Sequence, residues 1–404
     1  MVTETTPQSQ SFKLSMLLND TRYRSYTFQF FSLLILIVLI AYLGSNLIRN
    51  LAEAGLNISY SFLGEPAGYD INQRLIEYTS QSTHMRATIV GVLNTLLVAF
   101  LACFTATILG ILGGVLRLSE NWLVSKLMAV YVEAFRNVPV LIWIIIVFTI
   151  MTAVLPAPRE FRGDEPSASL VLDAVAFTNR GVYVPSPEFQ PQAIYVFFVL
   201  LASILAIFWY RNYAKNRLYA TGTLLPTFWP SFAILVLPTV MAFYLLGKPI
   251  SLDYPVLKGF NFSGGWTIRG SLIALWLALA IYTAAFIAEN VRAGILAISK
   301  GQTEAAASLG LRPNRIMSLV ILPQALRVII PPLISQYLNI TKNSSLAIAV
   351  GYMDVTGTLG GITLNQTGRA IEAILLLMLF YLLISLSISA LMNIYNKSIS
   401  LKER

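Results

Sequence analysis

The chain has 404 residues, 56% of them hydrophobic and only 12% charged, with a net charge of +9. A water-soluble domain carries roughly twice that charged fraction, so much of this surface has to face lipid. With one cysteine (Cys103) and one histidine (His84), an internal disulfide and a His/Cys zinc cluster are both excluded. The basic residues are too dispersed to form a nucleic-acid-binding face.

A helix needs about 20 apolar residues to cross a bilayer. In chain order, spans are predicted near Phe30–Leu47, Ala87–Leu116, Val138–Leu155, Ala193–Tyr210, Phe228–Leu246, Ser271–Ala288 and Ile371–Met392. An eighth, near Pro331–Met353, is interrupted by Asn339, Lys342, Asn343, Ser344 and Ser345, so it is expected to face protein or a cavity. The fold class is therefore an all-α membrane protein with about eight transmembrane helices. The polar first 27 residues, with no cleavage-site pattern before Phe30, mark the first span as a retained helix.

Eight spans put both termini on one side. With the N-terminus inside, the inner segments hold 17 basic and 7 acidic residues, against 10 basic and 12 acidic outside. The positive-inside rule then makes both termini cytoplasmic. The inner segment Arg211, Lys215, Arg217 has no acid beside it. The sole His84, near an outer loop, is expected on the surface rather than as a base.

The inner segment 300–332, KGQTEAAASLGLRPNRIMSLVILPQALRVIIPP, is the most informative. Its sequence predicts a helix over Gln302–Leu309, with Glu304 in the first turn, where it suits the helix dipole, and alanines that form helix well and leave little bulk. Gly310 is placed to end that helix. Pro313 opens a second, Asn314–Leu322, and Pro323 marks a break. Two short helices at an angle make a compact knob.

Here a resemblance becomes specific. Glu304-Ala305-Ala306, three residues, Gly310, nine residues, then Val320-Ile321-Leu322-Pro323 resembles the EAA loop of ABC importer permeases, with Val320 where that family has Ile. The segments Tyr131–Val140 and Ala285–Ile295, and Lys342-Asn343-Ser344-Ser345-Leu346, resemble the polar amino acid permeases in particular. Phe286 and Ala293 replace that family's usual Tyr and Gly. Asn94-Thr95-Leu96 sits where the family often has a polar helix start. The likeness covers 87–155 and 270–396. Between them, 156–269 is an insertion with two further spans and outer loops. With the extra N-terminal span the chain is similar to the longer, Q-type permease of general L-amino acid transporters. The expected plan is a cytoplasmic tail (1–27), an extra transmembrane helix (28–49), a periplasmic loop (50–86), the first core part (87–155), the insertion (156–269), the second core part (270–396) with the coupling loop at 300–323, and a tail (397–404).

The resemblance implies a type I ABC importer permease core in the bacterial inner membrane that moves amino acids into the cytoplasm. It implies three partners: a second, homologous permease, a homodimeric cytoplasmic ATPase that binds ATP and Mg, and a periplasmic amino-acid-binding protein. Gln302, Glu304, Ala305, Ala306, Gly310, Leu322 and Pro323 would couple to the ATPase. The chain has no G-x-x-x-x-G-K-[ST] loop and no catalytic constellation, so no catalysis and no cofactor of its own are expected. The alternative is a secondary amino acid transporter driven by an ion gradient. That reading accounts for the spans but not for the loop pattern.

Polar groups inside a span are costly and face cavities or partners. Lys342, about 16 Å past Pro331 at 1.5 Å per residue, is expected near the midplane. Lys342, Asn343, Ser344 and Ser345 form the expected substrate path, with the lysine meeting a carboxylate; the alternative is a fixed pair with Glu289, Glu133 or the partner permease. Glu133, Arg136, Glu289 and Arg292, read as lying at cytoplasmic helix ends, are expected to form pairs that change between access states, or static salt bridges.

Overall fold

A computed structural model describes residues 18, 20–55, 57–162 and 166–399, with the backbone alone at 22 and 397–399. Most of the expected tails 1–27 and 397–404 lie outside these residues. The chain divides into two units, Met1–Ser61 and Phe62–Arg404. The described residues of the first unit include the helix α1 (Thr21–Glu53). Its run from Phe28 to Leu43 is interrupted by few polar side chains.

The second unit is a helical bundle. Its helices are α2 (His84–Arg117), α3 (Trp122–Asn137), α4 (Val140–Val154), α5 (Ala193–Thr221), α6 (Phe228–Leu245), α7 (Gly270–Leu296) and α8 (Lys300–Ser308). There follow α9 (Pro313–Ile316), α10 (Leu322–Asn343), the short α11 (Leu364–Thr367) and α12 (Ala370–Ile399). Among the described residues eight stretches are long and apolar enough to cross a membrane. They coincide with the expected spans, except that the seventh runs over Pro313–Val350 rather than starting near Pro331. The reason is local. Pro323 does not break the helix, because a π-helical turn at Met317–Ile321 precedes it, and such a turn accommodates a proline's missing N–H and ring. The Gln324 side chain donates to the Val320 carbonyl (3.0 Å) there. One rod thus replaces the predicted second short helix.

The bundle core is the α2–α7 pair. Gly110 and Gly114 lie on one face of α2, in the spacing that lets membrane helices approach closely. A Cβ at Gly114 would stand 2.7 Å from the Ala288 carbonyl and from Val291 Cβ. Around this contact Leu275, Leu279, Ala284 and Ile287 of α7 are fully buried. Helix α4 packs against the same helix through Val140 and Ile144, and α10 does so through Ala325 and Ile329.

Among the described residues the loops at one end of the bundle carry seven short strands. They pair as β1 (Ala176–Thr178), β2 (Gly181–Val184) and β7 (Trp266–Arg269); β3 (Ser186–Phe189) with β4 (Ile250–Asp253); and β5 (Val256–Lys258) with β6 (Asn261–Ser263), all antiparallel. Long connections at a membrane surface have to satisfy their backbone groups somehow, and these do so by pairing. Phe161, Leu170, Ala176, Tyr183 and Phe262 form a small core beneath the strands. At the same end, residues 62–83 fold over the start of α2, burying Ala67, Ile71 and Tyr78 against Ala87 and Val90.

Candidate functional site

The segment Lys300–Pro323 sits at the opposite end of the bundle from the strands, between α7 and α10. Helix α8 begins two residues earlier than expected, at Lys300, and ends at Ser308, with Leu309 as its cap. Gly310 then takes φ +77°, a left-handed turn that glycine adopts freely. The helix is held by one face: Ala306 is buried beside Ile316 and Ile321, with Ile295, Ile298 and Leu311 around them. Gln302, Glu304 and Ala305 are exposed, as are Leu322 and Pro323. Ala306 therefore anchors the knob to its own chain, and its neighbours form the free face. Leu309, 80% exposed at the tip, was not singled out in the sequence. An apolar residue held in water at a helix end was the available signal.

Three of the four charged residues expected to pair, Glu133, Glu289 and Arg292, meet around a fifth. Arg117, the last residue of α2, forms a short ion pair with Glu289 and lies 3.9 Å from Glu133. Glu289 also accepts from Arg292 at 3.1 Å. One guanidinium thus ties α2, α3 and α7 together. Arg136 joins no carboxylate among the described residues; its guanidinium lies over the Phe286 ring, 5.4 Å from the centroid. Helix α3 packs along α7, with the Tyr131 hydroxyl donating to the Ile281 carbonyl (2.6 Å). Phe135 stacks on Trp143 of α4 across the break at Pro139 (4.0 Å).

Lys342 is exposed and forms no ion pair with any described residue. Glu289 and Glu133, its expected intrachain partners, belong to Arg117. Thr341 beside it lines a groove with Leu96, Ala99 and Cys103 of α2, which places Lys342 near the middle of that helix. Ser344 and Ser345 donate to the carbonyls of Thr341 and Lys342 (both 2.8 Å). Their hydrogens are spent on the end of α10, and only lone pairs are left to offer a ligand. Lys342 in the last turn of α10 also suits the negative end of that helix.

Three polar residues close the strand-bearing end. Asn94 is no helix start: Thr83 caps α2 by accepting from the Arg86 amide. Asn94 lies buried within the helix, donating to the carbonyls of Gln73 (2.7 Å) and Met353 (2.9 Å). His84 is no surface residue. It is 3% exposed, with its Nδ1 3.0 Å from the Thr363 hydroxyl. Asp354, between the last two spans, is fully buried. Its carboxylate caps the next turn by accepting from the Gly357 amide (2.8 Å). Burial without a cation pushes its pKa up to about 7.

Residues 198–401 match the family of binding-protein-dependent transport system inner membrane components. The match starts inside α5, so it covers the second core part and most of the inserted hairpin. Over 98% of its length the chain is 54% identical to the glutamate/glutamine/aspartate/asparagine transport system permease protein BztB of Rhodobacter capsulatus, covering 99% of that protein. This chain belongs to the amino acid ABC transporter permeases. The permease is also 44% identical to the general L-amino acid transport system permease protein AapQ of Rhizobium johnstonii, over 98% of its own length and 96% of the other's. A crystal structure of an amino acid ABC transporter with histidines superposes with a TM-score of 0.44 at 20% identity, over 78% of this chain and 95% of that one, too loosely to argue from. Nothing in these likenesses favours an ion-gradient-driven carrier. The permease is the transport subunit of an ABC system and spans the membrane several times.

Proposed function

We propose that this permease moves amino acids into the bacterial cytoplasm, driven by ATP hydrolysis on a separate subunit that docks on α8. The observation that carries this reading is the disposition of α8. It is a short helix seated on its own bundle through Ala306, with Gln302, Glu304, Ala305 and Leu309 free. A lever has to be fixed to the part it moves and open to the part that moves it; this helix is both. Because Ala306 contacts the foot of α9 and the π-helical turn, a push on α8 is delivered to the rod that carries Lys342.

In this reading ATP and Mg are bound by a homodimeric cytoplasmic ATPase. A second, homologous permease completes the path, and a periplasmic amino-acid-binding protein delivers the substrate. The permease lies in the inner membrane with both termini in the cytoplasm, an orientation supported by the basic excess at the α8 end. Lys342 and Asn343 face the path, where the unpaired ammonium meets the substrate carboxylate or an acid of the second permease. The Arg117 cluster holds α2, α3 and α7 in register as the bundle changes access.

The test is co-purification and transport. Glu304→Lys reverses a charge on the free face of α8 without touching Ala306. It should strip the ATPase from the purified complex and abolish ATP-dependent uptake in proteoliposomes, while permease yield is unchanged. Normal ATPase capture and uptake in that variant would reject α8 as the dock.

A further inference from the structure

We infer that the inserted hairpin α5–α6 carries a binding site for an anionic phospholipid, centred on Arg211 and Ser231. The two helices pack chiefly on each other. At the end remote from the strands they flank an open cleft of about 310 Å³, lined by Ile207, Phe208, Arg211, Phe228, Ser231 and Phe232 among others.

Two polar groups stand in this apolar cleft. Ser231 is 6% exposed, and its hydroxyl has no hydrogen-bond partner among the described residues. A helical serine ordinarily bonds back to the carbonyl one turn earlier; this one makes no such bond, and the residue lines the cleft. A buried hydroxyl left unmatched is destabilising, which calls for an acceptor in the site. Arg211, on the facing helix, has no ion pair among the described residues. The same turns carry Lys215 and Arg217 and no acid.

Position selects the ligand. Arg211 lies 18 residues beyond Ala193, the start of α5, or about 27 Å along the helix. That nearly spans a hydrocarbon core about 30 Å thick, so Arg211 is held at headgroup depth. Ser231 is in the first turn of α6 and shares that depth. Exposed Trp209 and Trp229 flank the cleft, as aromatic residues do at a membrane interface. An apolar slot below and a cation with a hydroxyl donor above match one acyl chain and its phosphodiester. Unopposed positive charge favours a net-anionic headgroup over a zwitterionic one.

The experiment uses the intact transport complex in phosphatidylcholine vesicles containing a trace of photoreactive phosphatidylglycerol or photoreactive phosphatidylcholine, with crosslinked peptides mapped by mass spectrometry. The glycerol lipid should label residues 204–235 and be displaced by unlabelled phosphatidylglycerol but not by millimolar inorganic phosphate. Arg211→Gln should lower that labelling about fivefold, the factor expected for one basic residue near an anionic surface. Ser231→Phe keeps the charge and fills the slot. It should remove the label as well, and it decides the matter should Arg211→Gln fail to assemble. Equal labelling by both lipids, displacement by inorganic phosphate, crosslinks to a neighbouring subunit in place of lipid, or wild-type labelling in Ser231→Phe would each overturn the assignment.

Discussion

The α2–α7 pair and the α5–α6 hairpin are all predicted spans of similar apolarity, yet they are used in opposite ways. In its most apolar window α7 is 61% buried, whereas α5 and α6 are 17% and 6% buried. The difference lies in side-chain size. Where α7 meets α2, Ala284, Ile287, Ala288 and Val291 lie against Gly110, Gly113 and Gly114 of α2; the hairpin instead offers Phe197, Phe198, Leu201, Leu205, Leu237 and Met241 outward. Lipid is as apolar as leucine, so a membrane gives no reward for hiding large side chains. It rewards close approach, which only small ones permit.

The sharpest way to break this comparison is to put one bulky residue on each side of it. Gly114→Leu drives a side chain into the Ala288 carbonyl and Val291. Overpacking of this kind costs about 1–3 kcal/mol in soluble cores and more where backbone blocks relaxation. The variant should yield little monodisperse complex in detergent size-exclusion chromatography. Leu237→Trp, at a site 67% exposed on α6, should elute like wild type. Equal loss in both would mean that the hairpin is as tightly packed in the assembly as the core.

The same contrast separates what the sequence discloses from what it hides. All eight spans are legible because length and apolarity are nearly all a bilayer demands. Their partners are not legible, since burial in lipid and burial in protein read alike until residue size is weighed. Pro323 misleads because a proline is a stop signal unless a π-helical turn precedes it, and that turn leaves no mark in composition. The motif residues of α8 can be found from spacing, but Ala306 facing inward and Leu309 facing out depend on where Ile316 and Ile321 return in space. Arg117 looks like one more inside cation. Its place as a hub follows from α2, α3 and α7 meeting at one point. His84 looks superficial because it borders a loop, and the fold of 62–83 covers it.

Charged ends provide a second comparison. Arg117→Ala removes the cation that stands between Glu289 and Glu133. Removing one partner of a largely buried pair costs about 3–5 kcal/mol, here toward the low end because Glu133 is 59% exposed. The melting temperature of the complex should drop by several degrees, and Glu289→Gln in the same chain should restore part of it. Arg211→Ala, on the hairpin, breaks no ion pair among the described residues and should lower the melting temperature far less.

A smaller effect distinguishes the regions by pH. The folded pKa of Asp354, about 7, lies above its value in an unfolded chain, about 4. The folded state therefore holds the proton more tightly. Its stabilising contribution is complete below about pH 4 and is lost as pH rises toward and past 7. Melting temperature should fall between pH 5 and 8, and Asp354→Asn should flatten that slope. An unchanged slope would mean that another group carries the titration.

Lys342 is where the comparison should fail if the transport reading is right. It belongs to the core by position, on α10 beside the groove of Thr341, yet by exposure it behaves like the hairpin. An exposed cation in a span that pairs with no carboxylate among the described residues is retained at a cost. Lys342→Ala should therefore scarcely move the melting temperature, since the side chain is exposed and its loss breaks no ion pair among the described residues. Uptake should nevertheless collapse or change its preference among amino acids. A stable, fully active Lys342→Ala complex would remove the side chain from the path and leave it as a favourable charge at the end of α10.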